Sequence, residues 1–428
     1  MELVLLGTTD VHGRVYPYDY YTGQPTDHGL TLLKPLVDSI RAANPGRVYL
    51  FDSGDLLQGT LLAYLYARVR SQEPSPIVRA MNLMGYSASA IGNHEFNYGL
   101  EYLGRAVAQA AFPLVTANVY RHGTGEHAYR PYVLLPHPVA GGDTIRLGVT
   151  GVTPPGVHIW DRRHVEGVLD FRDAVASLRP VVAEMRARGA DLVVVLSHGG
   201  FGPTSYDTVS TGLARENAAR EIAREVAGVD VVFLGHTHRE IADTTINGVL
   251  LTQARNWAQS LAVVTVRLER EPGSPRGEAA WGKGGSPRGG AAREGQPGAW
   301  RVAAKRAAIL RPRRERADTA LLDSLRREHE RAAVFARSVI GRSTEAMDAR
   351  AARVRDTPIL DFVNEVQRRV AGADLSSTAA FRLAARIPQG DVTIGDIGGL
   401  YIYDNQLLAV RITGAQLRAY LEKTAEYY

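Results

Sequence analysis

Phe51-Asp52-Ser53-Gly54-Asp55 closes a short apolar run, Arg47-Val48-Tyr49-Leu50, whose β character makes it a strand that stops where Gly54 lets the chain turn sharply. A carboxylate at the C-terminal mouth of a strand is a natural site residue. Alone, an acidic residue after a strand is more often a turn former. The reading of Asp55 therefore depends on what the other strand ends carry.

The first strand, Leu3-Val4-Leu5-Leu6, runs into Gly7-Thr8-Thr9-Asp10-Val11-His12-Gly13. On extended backbone an Asp-x-His pair presents carboxylate and imidazole on one face, where both can grip one ion. A third strand end is Ala90-Ile91-Gly92-Asn93-His94-Glu95-Phe96-Asn97-Tyr98-Gly99. Asn93 offers a neutral carbonyl oxygen, and His94 beside it points another way, as suits an acid or a donor to a developing charge. Taken singly, Asn-His reads as a helix cap with an exposed ring. Asp191-Leu192-Val193-Val194-Val195-Leu196 is continuous and apolar, as in a strand buried on both faces, and it ends at Ser197-His198-Gly199-Gly200. Residues 229–234 repeat that pattern and end at Gly235-His236-Thr237-His238. Asp10 with His12, Asp55, Asn93, His198, and His236 with His238 thus occupy five strand ends, too many for turn chemistry alone.

Between these strands the helical period recurs. Residues 29–42 carry Leu30, Leu33, Val37 and Ile40 at helical spacing, residues 61–70 and 76–83 read as helices, and the alternation is that of an α/β fold. Residues 112–118 and 145–150 read as further strands. Tyr16-Pro17-Tyr18-Asp19-Tyr20-Tyr21 either lines a site mouth or packs on its own tyrosines as a surface loop.

The chain has 428 residues, 45% of them hydrophobic, enough for two or three domains. It contains no cysteine, which excludes disulfides, thiolate ligands and a Cys nucleophile and leaves His, Asp and Asn as donors. The net charge of +5 invites a nucleic-acid reading, but much of the Arg surplus falls between Arg301 and Arg355, on helix faces and a linker, and is read as solvated charge. Leu3 to Leu6 follows Met1 without a basic stretch and is too short for a signal segment; no run approaches the ~18–20 apolar residues that span a bilayer.

The ordered set Asp-x-His, Gly-Asp, Gly-Asn-His-Glu, a single His and Gly-His-x-His resembles the calcineurin-like metallophosphoesterase superfamily. Gly92 to Gly99 and the later Tyr401-Ile402-Tyr403-Asp404-Asn405 are similar to the two-domain 5′-nucleotidase group within it. The resemblance covers nearly the whole chain. It implies an α/β fold, a two-sheet α/β/β/α sandwich with a smaller, incomplete α+β second domain. It also implies two divalent cations, with Mn, Zn, Fe and Co all admitted by these donors. Asp10, His12, Asp55 and His238 would hold one, and Asp55, Asn93, His198 and His236 the other, with Asp55 shared. His94 would stabilise developing charge and help the leaving oxygen depart. Several 5′-nucleotidases orient that histidine with an Asp where this chain has Asn97. An Asn holds the ring but cannot stabilise an imidazolium as a carboxylate does. Asn97 and the Asp19-Tyr20-Tyr21 segment are features of the 2′,3′-cyclic-nucleotide 2′-phosphodiesterase branch, and the chain is closer to it.

The expected activity is metal-dependent hydrolysis of nucleotide phosphate esters, leaning to 2′,3′-cyclic and 3′-nucleotides. The alternatives are a 5′-nucleotidase or UDP-sugar hydrolase, a nuclease, and a nucleotide- or metal-binding protein without catalysis. The resemblance further implies an extracytoplasmic scavenging enzyme, while the lack of a leader leaves the cytoplasm open. A monomer with no stable nucleic-acid partner is expected.

The domain reading places the catalytic domain at residues 1–311, a helix between the domains at 317–336 with Asp318 as its N-cap, and the second domain at 338–428. Residues 271–298, rich in Gly, Pro, Ser and Arg, read as a disordered surface insertion, and residues 300–310 as the final strand of the first domain. In the second domain residues 361–370 and 414–427 read as helices. Tyr403 falls where the family stacks an aromatic ring on the base, and it reads equally as a core tyrosine. The family's second domain continues to a further stacking aromatic, so this one is expected to be incomplete.

Overall fold

The computed structural model describes residues 1–275, 298–313, 316–380, 382–400 and 407–426. The described chain divides into a unit of Met1–Phe335 and a unit of Ala336–Tyr428.

Twelve strands of the first unit form its two large sheets: β1 (Glu2–Thr8), β2 (Val48–Asp52), β3 (Ala88–Ala90), β4 (Leu114–Val115), β5 (Tyr132–Val139), β6 (Asp143–Val152), β7 (Leu192–Ser197), β8 (Val231–Leu234), β9 (Ile241–Ile246), β10 (Val249–Gln253), β11 (Leu261–Pro275) and β12 (Gly298–Leu310). One six-stranded sheet runs β12-β11-β1-β2-β3-β4 and the other β9-β10-β8-β7-β6-β5. In each, four neighbouring strands are parallel: β1 to β4 in the first, β6, β7, β8 and β10 in the second. Alternate residues explain how the sheets stack. Leu3, Leu5 and Phe51 from one sheet meet Leu147, Val149, Leu192, Val194, Leu196, Val231 and Phe233 from the other in one apolar layer. The intervening residues, Val193, Val195, Val232 and Leu234, face the helices Ala174–Ala187 and Ala219–Glu225 through Leu178, Val182, Met185 and Ile222. Strands buried on both faces are why β7 and β8 read as unbroken apolar runs. The result is a helix-flanked two-sheet sandwich.

The sheets approach closely where β6 meets β4. A Cβ on Gly151 would lie 2.4 Å from the Val115 carbonyl oxygen and 3.1 Å from Ala90 Cβ. Backbone cannot yield as a side chain would, so Gly151→Ala should destabilise the first unit by about 1–3 kcal/mol, the usual cost of overpacking. Chemical denaturation checks it, and an unchanged midpoint would contradict the account.

Residues 61–70 are helical as expected, an α-helical turn, Leu61–Tyr64, followed by a wider π turn, Leu65–Val69, closed by Arg70 N–H donating to the Leu65 carbonyl at 2.7 Å. Other expectations differ from the structure. The strand expected at 112–118 shrinks to Leu114–Val115; Pro113 has no N–H for a ladder, and Val119–Arg121 pairs instead with Leu169–Phe171. β11 continues through Pro275, which pairs with Gly298, so the expected insertion at 271–298 begins and ends inside a hairpin; residues 276–297 lie outside the described residues. The helix expected at 317–336 is two, Thr319–Ser324 and Arg326–Ala336, with Asp318 accepting from Leu321 N–H as its N-cap.

The tyrosine-rich segment holds that second helix. His329 stacks on Tyr16 with centroids 4.1 Å apart, receives the Tyr18 ring edge-on, and bonds the Tyr20 hydroxyl at 2.9 Å. The segment also packs on itself, Tyr18 meeting Tyr20 edge-on with centroids 5.1 Å apart. The Arg surplus meets acidic neighbours at the surface, as in Arg311 with Glu240 and Arg331 with Glu73.

The second unit pairs Val339–Ser343 with Gly390–Thr393 and Met347–Asp348 with Arg386–Ile387, beside the helix Pro358–Ala371. Its core is small: Ala349, Ile359, Ala385, Ile387 and Val392. The helix Gly414–Ala425 has no buried residue. Among the described residues no helix is long and apolar enough to cross a membrane.

Candidate metal centre

Asp10 and His12 follow β1, Asp55 follows β2, Asn93 and His94 follow β3, His198 follows β7, and His236 and His238 follow β8. All leave the C-terminal ends of parallel strands, where backbone N–H and C=O groups run out of ladder partners and loops must turn. Sheet stacking then brings the two sets of loops together.

Asp10, His12 and His238 form one cluster and Asp55, His198 and His236 another; within each, the donor atoms lie within 4.8 Å of one another. His12 Nε2 is 3.1 Å from His238 Nε2 and 3.9 Å from Asp10 Oδ1. Asp55 Oδ2 reaches both sets, at 2.9 Å from His198 Nε2 and 3.8 Å from His12 Nε2. Asn93 is buried, and its Oδ1, sealed from solvent, has no hydrogen-bond partner among the described residues. A buried carbonyl oxygen without a donor is costly unless a cation satisfies it. His94 Nε2 lies 4.0 Å from Asp55 Oδ2, and its ring meets His12 edge-on at 5.1 Å.

The expected extended Asp-x-His backbone is not what joins Asp10 and His12. Their φ angles are 51° and 49°, and Asp55, His236 and His238 also lie in the left-handed region at 63°, 67° and 52°. That region is strained for residues with a Cβ and clusters at functional sites. Three backbone bonds hold the first two loops in register: Asp10 N–H donates to the Gly54 carbonyl, His12 N–H to Asp55 and Gly13 N–H to Leu56, at 2.8–2.9 Å.

The histidine rings are aimed by groups behind them. His12 Nδ1 donates to the Gln58 carbonyl at 2.9 Å and His198 Nδ1 to the Ser53 carbonyl at 2.7 Å, which turns each Nε2 inward. His236 Nε2 instead bonds Glu216 Oε1 at 2.5 Å. Burial alone would raise the Asp10 carboxyl, but the His238 hydrogen bond and the His198 charge bring it down to about 2. Asp55 is held well below the carboxylate range; burial opposes this, and the charges of His198 and His94 outweigh it. Burial pushes His12 down to about 3, so its ring is neutral and free to donate a lone pair. His198 is the opposite case: burial would lower it, yet the Asp55, Asp10 and Glu95 carboxylates hold it up at about 10. Two ionised carboxylates, a neutral imidazole and a site that already prefers a positive charge are the electrostatics of a cation site.

Sequence reasoning missed three supporting carboxylates. Glu95, fully buried, accepts the N–H groups of Asp55, Leu56, Leu57 and Gly92 at 2.6–3.1 Å. Its signal was its place directly after Asn93-His94. Glu216 lies on the loop before Ala219–Glu225 and Asp161 between Val157–Trp160 and Arg162–Val165, where no motif marks them. Tyr403 lies outside the described residues.

The calcineurin-like phosphoesterase family matches residues 3–240. The chain belongs to that family. It is a phosphoric ester hydrolase of a family that uses divalent metals. Residues 339–428 match the 5′-nucleotidase C-terminal domain. The chain is 31% identical over 474 residues to the 2′,3′-cyclic-nucleotide 2′-phosphodiesterase/3′-nucleotidase of Haemophilus influenzae, covering 99% of this chain and 67% of that protein. It is 28% identical over 470 residues to the trifunctional nucleotide phosphoesterase protein YfkN of Bacillus subtilis, covering 99% of this chain but 30% of that one. In fold it is similar to a putative 5′-nucleotidase from Staphylococcus aureus, with a TM-score of 0.77 at 23% identity over 100% of this chain and 77% of that one.

Proposed function

We propose that this phosphoesterase hydrolyses nucleotide phosphate esters at two divalent cations that share Asp55. Asp10, His12 and His238 hold the first with Asp55, and Asn93, His198 and His236 hold the second with it. The observation that carries this reading is the Asp55 carboxylate that reaches both histidine clusters, and the unpartnered, buried Oδ1 of Asn93, the neighbour of the His94 whose backbone N–H donates to Asp55, supports it. When bound, such ions supply an activated water and neutralise phosphoryl oxygens. The chain's own residues do the rest. Gln58, Ser53 and Glu216 fix which ring nitrogen each ligand offers, and the buried strand ends exclude bulk water. His94, partly exposed at the rim with Nε2 toward Asp55, delivers a proton to the leaving oxygen.

For the substrate we favour 2′,3′-cyclic and 3′-nucleotides over 5′-nucleotides and UDP-sugars. Asn97 and the likeness to the Haemophilus protein along nearly the whole chain support this choice. The Asp19-Tyr20-Tyr21 segment supports it less, since Tyr20 bonds His329 rather than a site residue. The same resemblance carries the reading of an extracytoplasmic enzyme. Chelator-treated protein should be inactive and regain turnover with Mn²⁺, and should then favour 2′,3′-cyclic AMP over AMP carrying a 5′-phosphate by about tenfold or more in kcat/KM. Retained activity after metal removal would overturn the dimetal reading, and a clear preference for the 5′-phosphate the choice of substrate.

A further inference from the structure

His94 turns its Nε2 toward Asp55 and its Nδ1 toward an amide. Its Nδ1 is 2.6 Å from Asn97 Oδ1, and the Asn97 Nδ2 in turn lies 3.1 Å and 3.0 Å from the two oxygens of Asp161, a residue 64 positions away in the chain. Asn97 and Asp161 are both buried, Asp161 to 3% exposure. An amide has a donor end and an acceptor end, and a buried carboxylate accepts only. Asp161 therefore decides which way Asn97 turns. With its NH₂ group on Asp161, Asn97 can offer His94 only an oxygen, so His94 Nδ1 must carry a hydrogen and Nε2 is the nitrogen left to exchange one with the site. Were the amide reversed, Nδ1 would have to accept, and an Nε2–H could be surrendered only by forming an imidazolate.

We propose that Asp161 is a positioning residue for the hydrolysis, acting through Asn97 to fix the ring orientation of His94 and the nitrogen that carries its transferable proton. The proposal rests on the role given to His94 above. In the step concerned, the oxygen of a water forms a new bond to phosphorus while the P–O bond to the leaving group breaks with its electron pair on the leaving oxygen, and His94 enters as imidazolium with a hydrogen on each nitrogen. The leaving oxygen takes the Nε2 proton, and His94 remains as neutral imidazole with its Nδ1–H still on Asn97. The arrangement also explains how an Asn can stand beside this histidine: the negative charge is present one residue further back, and the amide transmits both its direction and part of its field.

Two esters with the same phosphoryl group separate this role from a structural one. The phenolate of 4-nitrophenyl phosphate leaves without a proton, whereas the ribose oxygen of 3′-AMP needs one. In the Mn²⁺-loaded full chain, His94→Ala should lower kcat on 3′-AMP about 100-fold more than on the aryl ester, the scale of general acid catalysis. Asp161→Asn, nearly isosteric, should lower kcat on 3′-AMP about tenfold, with KM held within about twofold and the aryl ester slowed by no more than about threefold. The double variant Asn97→Asp/Asp161→Asn keeps the net charge and puts a carboxylate directly on Nδ1. It should return 3′-AMP turnover to within about threefold of the parent.

A split in His94→Ala with none in Asp161→Asn would overturn the inference and leave His94 in its role. No split in His94→Ala would remove the role of His94 and the inference with it. Equal losses on both esters, failure of Asp161→Asn to fold, or failure of the double variant to restore turnover would make Asp161 a structural residue instead.

Discussion

Asp55→Asn is expected to abolish nearly all turnover while leaving the fold in place. The substituted side chain has the same size and keeps an oxygen for the His94 N–H, which donates to Asp55 Oδ1 at 2.8 Å. The Glu95 bond to the backbone N–H of residue 55 does not involve the side chain at all. What disappears is the charge that both histidine clusters share. His198 loses the nearest carboxylate holding its proton, and the two proposed cations would lose their common anionic donor. Removing one uncharged donor from a preorganised site costs about 10²–10³-fold, so loss of this carboxylate should lower kcat by at least about 10³-fold. Elemental analysis should find fewer than two equivalents of metal. Near-normal turnover at full metal content would contradict the shared-ligand assignment, and a protein with altered circular dichroism would show that the substitution acts on the fold.

Glu95→Gln should have the largest effect on stability among conservative substitutions. Oε1 of Glu95 accepts from Leu56 and Leu57, and Oε2 accepts from Asp55 and Gly92, all in a fully buried position. Burial pushes the Glu95 carboxyl up, the Asp55 charge adds to that, and the backbone donors oppose it. A glutamine offers one oxygen and one NH₂ group. Whichever way it turns, two of those backbone N–H groups meet a donor. At about 1–3 kcal/mol for each buried group left unsatisfied, the cost is roughly 2–6 kcal/mol. Denaturant unfolding of chelator-treated parent and variant measures this apart from any loss of metal. A difference below about 1 kcal/mol would mean that the loop has other means of holding its left-handed conformation.

That loop marks the border between what could be read in the chain and what could not. Strand ends were legible because β2, β7 and β8 are apolar runs cut off by Gly and polar residues, and because donors of one chemical kind recur at each cut. Backbone conformation at the donors was not. Asp10, His12, Asp55, His236 and His238 all sit at positive φ, which no residue type among them announces. The expected strand at residues 112–118 failed for a related reason: its apolar pattern is that of a strand, but Pro113 and the pairing of Val119–Arg121 elsewhere leave room for only a two-residue bridge.

By itself the sequence determined the α/β alternation, the positions of the buried strands and the inventory of metal-compatible donors, because burial on two faces and residue chemistry are local properties of the chain. Only the tertiary structure decided how those donors are grouped. His236 and His238 are two residues apart yet join different clusters, because the left-handed turn between β8 and the next loop sends one ring toward Asp55 and the other toward Asp10. The same holds for the groups behind them. Glu216 meets His236 and Asp161 meets Asn97 through hydrogen bonds made only when distant loops are packed side by side, and such contacts leave no periodicity or spacing in the sequence.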